Sequence, residues 1–94
     1  KWEWNYGHSP NYNFRQGVRT KGGTLEMNLE VKKGIIQEAK IFGDFFGTKP
    51  IEDIEAALQG VAHDQDQLRE KLNSFKLEAY FHQMTIDDLM SALF

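Results

Sequence analysis

Residues 23–46 read GTLEMNLEVKKGIIQEAKIFGDFF, and this stretch decides the fold. Leu25, Met27, Leu29 and Val31 alternate with Thr24, Glu26, Asn28 and Glu30. A period of two belongs to a strand with one face buried and one in water. After Lys32-Lys33-Gly34 a second run follows, with Ile35, Ala39 and Ile41 set against Glu38 and Lys40. A three-residue loop ending in glycine suits a type I turn closed by a bulge, since its last residue needs positive φ. Such a loop predicts Val31 opposite Ile35, Met27 opposite Ala39 and Leu25 opposite Ile41 on one face, with Glu26 opposite Lys40 on the other. A one-residue slip would set apolar residues against Glu38 and Lys40, so the pattern resists it.

Upstream, residues 11–19 alternate again: Tyr12, Phe14 and Val18 share one face, Asn13, Arg15 and Arg19 the other. Thr20-Lys21-Gly22-Gly23 reads as the turn that joins this first strand to the hairpin. Three sequential strands with short connections make an antiparallel meander whose apolar face must be covered. The cover lies downstream. Pro50 suits a first helical turn, with Thr48 or Lys49 as cap and Glu52 and Asp53 near the positive end of the dipole. Ile51, Ile54, Ala57 and Leu58 form a stripe at helical spacing, and Gly60 stops that helix. Asp64 and Gln67 resemble a capping box for a second helix carrying Leu68 and Leu72, with Phe75 near its end. Leu77, Tyr80 and Phe81 make an apolar connection, and Thr85 caps a last helix with Ile86, Leu89, Met90 and Leu93 inward. Strands first and helices afterwards give an α+β domain, a three-stranded antiparallel meander covered on one face by about three helices. The 94 residues divide into an aromatic entry segment (1–10), strands (11–47) and helices (48–94) of one domain.

Composition excludes several chemistries. The chain has no cysteine, which rules out a disulfide framework, a thiolate metal site and a cysteine nucleophile within it. No apolar run approaches the roughly 18–20 residues of a membrane span, and no signal-peptide pattern is present. These features fit a cytoplasmic protein without a membrane partner. The net charge of −3 is uneven, positive over residues 1–40 and negative over 41–94. Arg15, Arg19, Lys21, Lys32 and Lys33 read as a solvated sheet rim that discourages edge pairing, not as a nucleic-acid surface. His8, His63 and His82 lack metal-ligand spacing, and helix-terminus roles suit them better. No serine sits in a strained nucleophile turn, and Gly22-Gly23 is a turn without the lysine of a phosphate loop. Glu52, Asp53 and Glu55 read as a solvated helix face.

Two stretches remain. The opening KWEWNYGHSP alternates Trp2, Trp4 and Tyr6 with Glu3 and Asn5 before Gly7 and Pro10 break the run. Either it packs on this domain's own core or it docks on another part of a longer protein. In Phe42-Gly43-Asp44-Phe45-Phe46-Gly47 a carboxylate is enclosed by phenylalanines and glycines. Asp44 either forms a turn while the phenylalanines enter the core, or lies in a loop that presents Phe45 and Phe46 to a partner.

Trp2-x-Trp4-Asn5-Tyr6-Gly7-x-Ser9-Pro10, the strand pair running into residues 41–47, the Leu58-x-Gly60-Val61 step, Tyr80-Phe81 and the closing Leu89, Leu93 and Phe94 come in a particular order and spacing. Together they resemble the C-terminal accessory domain of bacterial lipoate–protein ligases. The resemblance runs over essentially the whole chain. It implies a SufE/NifU-like fold, shared with sulfur-transfer and iron–sulfur assembly proteins, whose cysteine chemistry this chain lacks. It implies a parent enzyme that uses ATP, Mg²⁺ and lipoate to make lipoyl-adenylate and then lipoylates an acceptor-domain lysine. Implied partners are the N-terminal catalytic domain of the same chain and lipoyl-acceptor proteins of 2-oxoacid dehydrogenases or the glycine cleavage system. The family's glycine-rich binding segment and active-site lysine belong to the large domain. No catalytic, cofactor or metal residue is therefore carried over, and the fragment is expected to be inactive alone, as a piece of a longer or processed chain. Trp2, Trp4, Tyr6, Asp44, Phe45 and Phe46 are the candidate interdomain contacts. The competing reading is a free-standing protein-interaction module that uses an exposed aromatic patch.

Overall fold

The computed structural model describes residues 12–44 and 47–94. Three strands, β1 (Phe14–Thr20), β2 (Gly23–Lys32) and β3 (Ile35–Gly43), form an antiparallel sheet in the order β1-β2-β3. Three helices follow: α1 (Glu52–Leu58), α2 (Gln65–Asn73) and α3 (Ile86–Leu93), with a 3-10 turn at Leu77–Ala79 before the last. α1 lies against β3, α3 against β1 and β2, and α2 packs on both other helices. The architecture is the expected α+β meander with its helices on one face.

The hairpin differs from its predicted register. Its turn has two residues, not three, because Lys33 (φ 53°) and Gly34 (φ 76°) both take left-handed backbone. Two successive positive φ values make the primed turn whose twist matches that of the strands. Lys32 therefore faces Ile35, and Val31 faces Ile36. The register then shifts between Glu30 and Val31: Glu30 faces Glu38, Leu29 faces Ala39 and Met27 faces Ile41. Gln37 is thus an extra residue on β3, a β-bulge. The bulge reverses the side-chain alternation, so the core residue at the turn end of β3 is Ile36 and not Ile35, which is half-buried. Glu26 faces Phe42 and not Lys40, and the expected Glu26–Lys40 cross-strand pair is not made.

Asn13 ends the sheet one residue before β1. Its Nδ2 donates to the Val31 carbonyl (2.7 Å) while its Oδ1 accepts from the Val31 N–H (2.9 Å). The side-chain amide thus takes the place of a strand residue opposite Val31, and β1 starts at Phe14 instead of Asn11.

On the inner face Leu25, Met27, Leu29, Ile36, Ala39 and Ile41 meet Ile54, Leu58, Leu68, Leu72, Leu89, Met90, Ala92 and Leu93, with Phe81 and Met84 filling the end of the layer. The helix starts follow from their caps in two cases. Thr85 and Asp88 form a complete capping box on α3. Asp64 accepts from the Gln67 N–H, but its own N–H bonds to the Ala62 carbonyl, so only half of the box forms on α2. At α1 neither Thr48 nor Lys49 caps. The cap position is Ile51, without a side-chain bond, and the Lys49 N–H donates instead to the Ala79 carbonyl (3.0 Å).

The bulge makes a measurable distinction. Ile36→Ala should cost about 2–5 kcal/mol, the range for emptying a core site, and Ile35→Ala about half of that or less. Urea unfolding midpoints of the two variants check this, and the regular register predicts the opposite order.

Candidate functional site

The rim around Asp44 and Gly47 is built by backbone packing. Asp44, at the end of β3, is exposed, and its N–H donates to the Thr24 carbonyl (3.0 Å). Gly23 sits directly beneath it: a Cβ at Gly23 would lie 2.6 Å from the Asp44 carbonyl oxygen. A Cβ at Gly47 would lie 2.4 Å from the Ala79 carbonyl oxygen and 2.5 Å from the Tyr80 carbonyl carbon. The next bonds reach the same segment, since Lys49 N–H and Thr48 Oγ1 both donate to the Ala79 carbonyl. One side of the Asp44–Gly47 step is therefore fixed to the β1–β2 turn and the other to residues 79–80. That turn is itself seated on residues 82–83, where a Cβ at Gly22 would collide with the His82 carbonyl.

Tyr80 ties this frame to α1. Its ring is buried, and its hydroxyl donates to Asp53 Oδ2 at 3.2 Å. Burial first, then the hydrogen bond to Asp53 and the negative charge of that carboxylate, raise the Tyr80 pKa above the usual tyrosine value.

Glu55 corrects the reading of α1. It is 8% exposed, and its Oε2 accepts from the Ile41 N–H at 2.8 Å. The carboxylate closes the outer edge of β3 where a fourth strand would otherwise bond. Glu52 and Asp53 do stay in water on that helix, apart from the Asp53–Tyr80 bond. Spacing carries the signal for Glu55, which lies four residues after Ile51 and three before Leu58, inside the apolar stripe.

The open face of the sheet carries the other polar structure. Asn28 is 1% exposed at its centre. Its Oδ1 accepts from Arg15 Nε (2.8 Å), and its Nδ2 donates to Glu26 Oε2 (3.0 Å). Phe42, 51% exposed, stands on the same face with Lys40 Nζ 5.9 Å from its ring centroid. Of the phenylalanines in residues 42–46, Phe42 stays out of the core. Trp2, Trp4, Tyr6, Phe45 and Phe46 lie outside the described residues, so of the six expected contact residues the structure places Asp44. His63, at the start of α2, stacks on Phe94 (4.6 Å), meets Phe14 edge-on (5.3 Å), and donates from Nε2 to the Leu93 carbonyl (2.6 Å) at the end of α3. Among the described residues no three His, Asp or Glu side chains converge as a metal site requires. No helix of the described residues is long and apolar enough to cross a membrane.

Residues 9–93 match the family described as "Bacterial lipoate protein ligase C-terminus". The chain belongs to that family. It is 38% identical over 93 residues to lipoate-protein ligase LplJ of Bacillus subtilis, covering 99% of this chain and 28% of the relative. It is 40% identical over 89 residues to lipoate–protein ligase 1 of Staphylococcus aureus, covering 95% of this chain and 27% of the relative. The chain thus spans a little over a quarter of the length of these curated ligases. Two solved structures share the ligase-domain fold at 19% identity. One is a chain from the archaeal lipoylation system of Thermoplasma acidophilum, a bi-partite lipoate protein ligase and its E2 lipoyl domain, with TM-score 0.74 over 86% of this chain and 93% of that one. The other is P. falciparum LipL1 in complex with lipoate, with TM-score 0.65 over 97% of this chain and 26% of that one.

Two outcomes test the frame of this ligase domain. Gly47→Ala must push the 79–80 backbone away and should cost about 1–3 kcal/mol, read from the denaturation midpoint. Tyr80, whose folded pKa is raised, favours folding fully below the ordinary tyrosine pKa and loses that contribution as pH rises through its folded value. Stability should therefore fall on going alkaline beyond about pH 10, and Tyr80→Phe should flatten that fall in a pH series of urea midpoints.

Proposed function

We propose that this chain is the C-terminal accessory domain of an ATP-dependent lipoate–protein ligase, with an orienting or gating role and no chemistry of its own. The observation that carries the reading is the family match over residues 9–93 by a chain about a quarter as long as the ligases it resembles. The parent enzyme would use ATP, Mg²⁺ and lipoate to form lipoyl-adenylate, then transfer the lipoyl group to a lysine of an acceptor domain. Its acceptors would be subunits of 2-oxoacid dehydrogenases or of the glycine cleavage system, and its location the cytoplasm. No step of adenylation or transfer is assigned to a residue of this chain.

The partner in this reading is the catalytic domain upstream in the same chain. A domain that closes over an active site excludes water from a reactive intermediate and fixes geometry. Such a domain needs a stiff body and a defined contact. The backbone packing of Gly22, Gly23 and Gly47 supports the first. For the second, the candidate contact residues are the exposed Asp44 and, by sequence, Phe45, Phe46, Trp2, Trp4 and Tyr6.

The test separates the two parts. The purified chain, given ATP, Mg²⁺ and lipoate, should release no pyrophosphate. Mixed with the separately produced catalytic domain of its parent, it should restore lipoyl transfer to an acceptor lysine. Adenylation by the chain alone, or full transfer by the catalytic domain without it, would overturn the accessory role.

A further inference from the structure

Among the described residues nothing requires a glycine at position 17. It lies mid-strand in β1, opposite Glu26 on the open face of the sheet. It is not among the glycines with positive φ, and a Cβ built there meets the Leu25 carbonyl oxygen at 3.7 Å, an ordinary contact. Glycine inside a strand gives up side-chain packing and loses more backbone freedom on folding, so it marks a place where something else comes close. At Gly22, Gly23 and Gly47 that neighbour belongs to this chain; at Gly17 none of the described residues fills the space.

The strand around Gly17 is also left open at its edge. Thr20 and Gly23 pair across a two-residue turn, so alternation directs the backbone groups of Gln16, Val18 and Thr20 toward β2. Those of Arg15, Gly17 and Arg19 point to the outer edge, where no described residue bonds to them. The opposite edge is treated differently. On β3, Ile36 exchanges bonds with Val61 and Gly60, and Ile41 bonds to Glu55.

Charge selects what can pair there. Arg15 and Arg19 flank Gly17 on the open face; the Arg15 Nε donates to Asn28 and lies 4.0 Å from Glu26 Oε2, yet its side chain remains 71% exposed, and Arg19 adds a second cation on the other side of Gly17. Antiparallel pairing of β1 with a second copy, centred on Gly17, would set Arg15 against Arg19 twice. Like charges directly opposite are unfavourable, whereas carboxylates at those positions are favourable. The arginines that discourage self-pairing therefore admit an acidic strand.

We propose that the outer edge of β1 is a docking site for an extended, acid-bearing segment of a partner protein, which adds a fourth strand to the sheet. Carboxylates two residues to either side of a large side chain would face Arg15 and Arg19, and the large side chain would lie over Gly17.

The probe is the blocked peptide Thr-Glu-Val-Tyr-Val-Glu-Thr, titrated into the isotopically labelled chain. Amide exchange should slow at Arg15, Gly17 and Arg19 while Gln16 and Val18 change little. The same peptide with both Glu replaced by Lys should bind about tenfold more weakly, since two cross-strand charge pairs are reversed. Gly17→Thr should fold with an undiminished melting temperature and bind the Glu peptide about tenfold more weakly, and Arg19→Glu should narrow or invert the preference between the peptides. Absence of protection at the three amides, equal binding of both peptides, or undiminished binding by folded Gly17→Thr would overturn the proposal. So would a peptide-free dimer with those three amides protected.

Discussion

One residue without a cross-strand partner, Gln37, sets the geometry on which the rest depends. A regular β3 would place Ile35, Gln37, Ala39 and Ile41 on one face. The bulge removes Gln37 from that series and gives its place to Ile36, which is fully buried. It also increases local twist, and beyond it the outer edge of β3 meets the chain again at residues 60–62. There the Gly60 N–H donates to the Ile36 carbonyl (2.7 Å), and the Ile36 N–H to the Val61 carbonyl (2.9 Å). Gly60, at φ 83°, both ends α1 and starts this contact. The helix exit, the sheet edge and the core side chain are therefore one construction.

Much of the fold is legible in the sequence because burial imposes a period. The alternation of β2 names its buried face, and the stripes Ile54–Leu58, Leu68–Leu72 and Leu89–Leu93 name those of the helices. The Thr85 capping box is equally readable, since its two bonds depend on residues three apart. What alternation cannot fix is a displacement of two residues, which leaves every side chain on its face. The expected and observed registers differ by that amount over most of the hairpin, and turn geometry decides between them. Lys33 in a left-handed conformation has no sequence signature as plain as a second glycine would be.

The polar surroundings of the candidate site were less legible for a different reason. Glu55, Asn13 and Asn28 each act on backbone or side-chain groups distant in sequence. A pattern along one strand or helix carries no record of such a partner. The spacing of Glu55 within the stripe of α1 marks it as buried, but it does not name the Ile41 N–H as its partner. The glycines divide in the same way: Gly34 announces a turn, whereas Gly22 and Gly47 are required by carbonyls more than 30 residues away. Asp44 lies against one close approach, at Gly23, and Gly47 makes another against residues 79 and 80.

The link between β1 and α3 bears on how the chain assembles. Gln16 bonds to the Ser91 carbonyl across 75 positions, while the meander itself is made of near neighbours. The hairpins can form from local encounters, but the apolar face of the first strand stays uncovered until the final helix arrives. Such long-range closure slows folding and prolongs the exposure of apolar surface. During synthesis the sheet would wait, half-covered, for residues 86–93. The order of events is set by topology, with the earliest strand sealed by the latest helix.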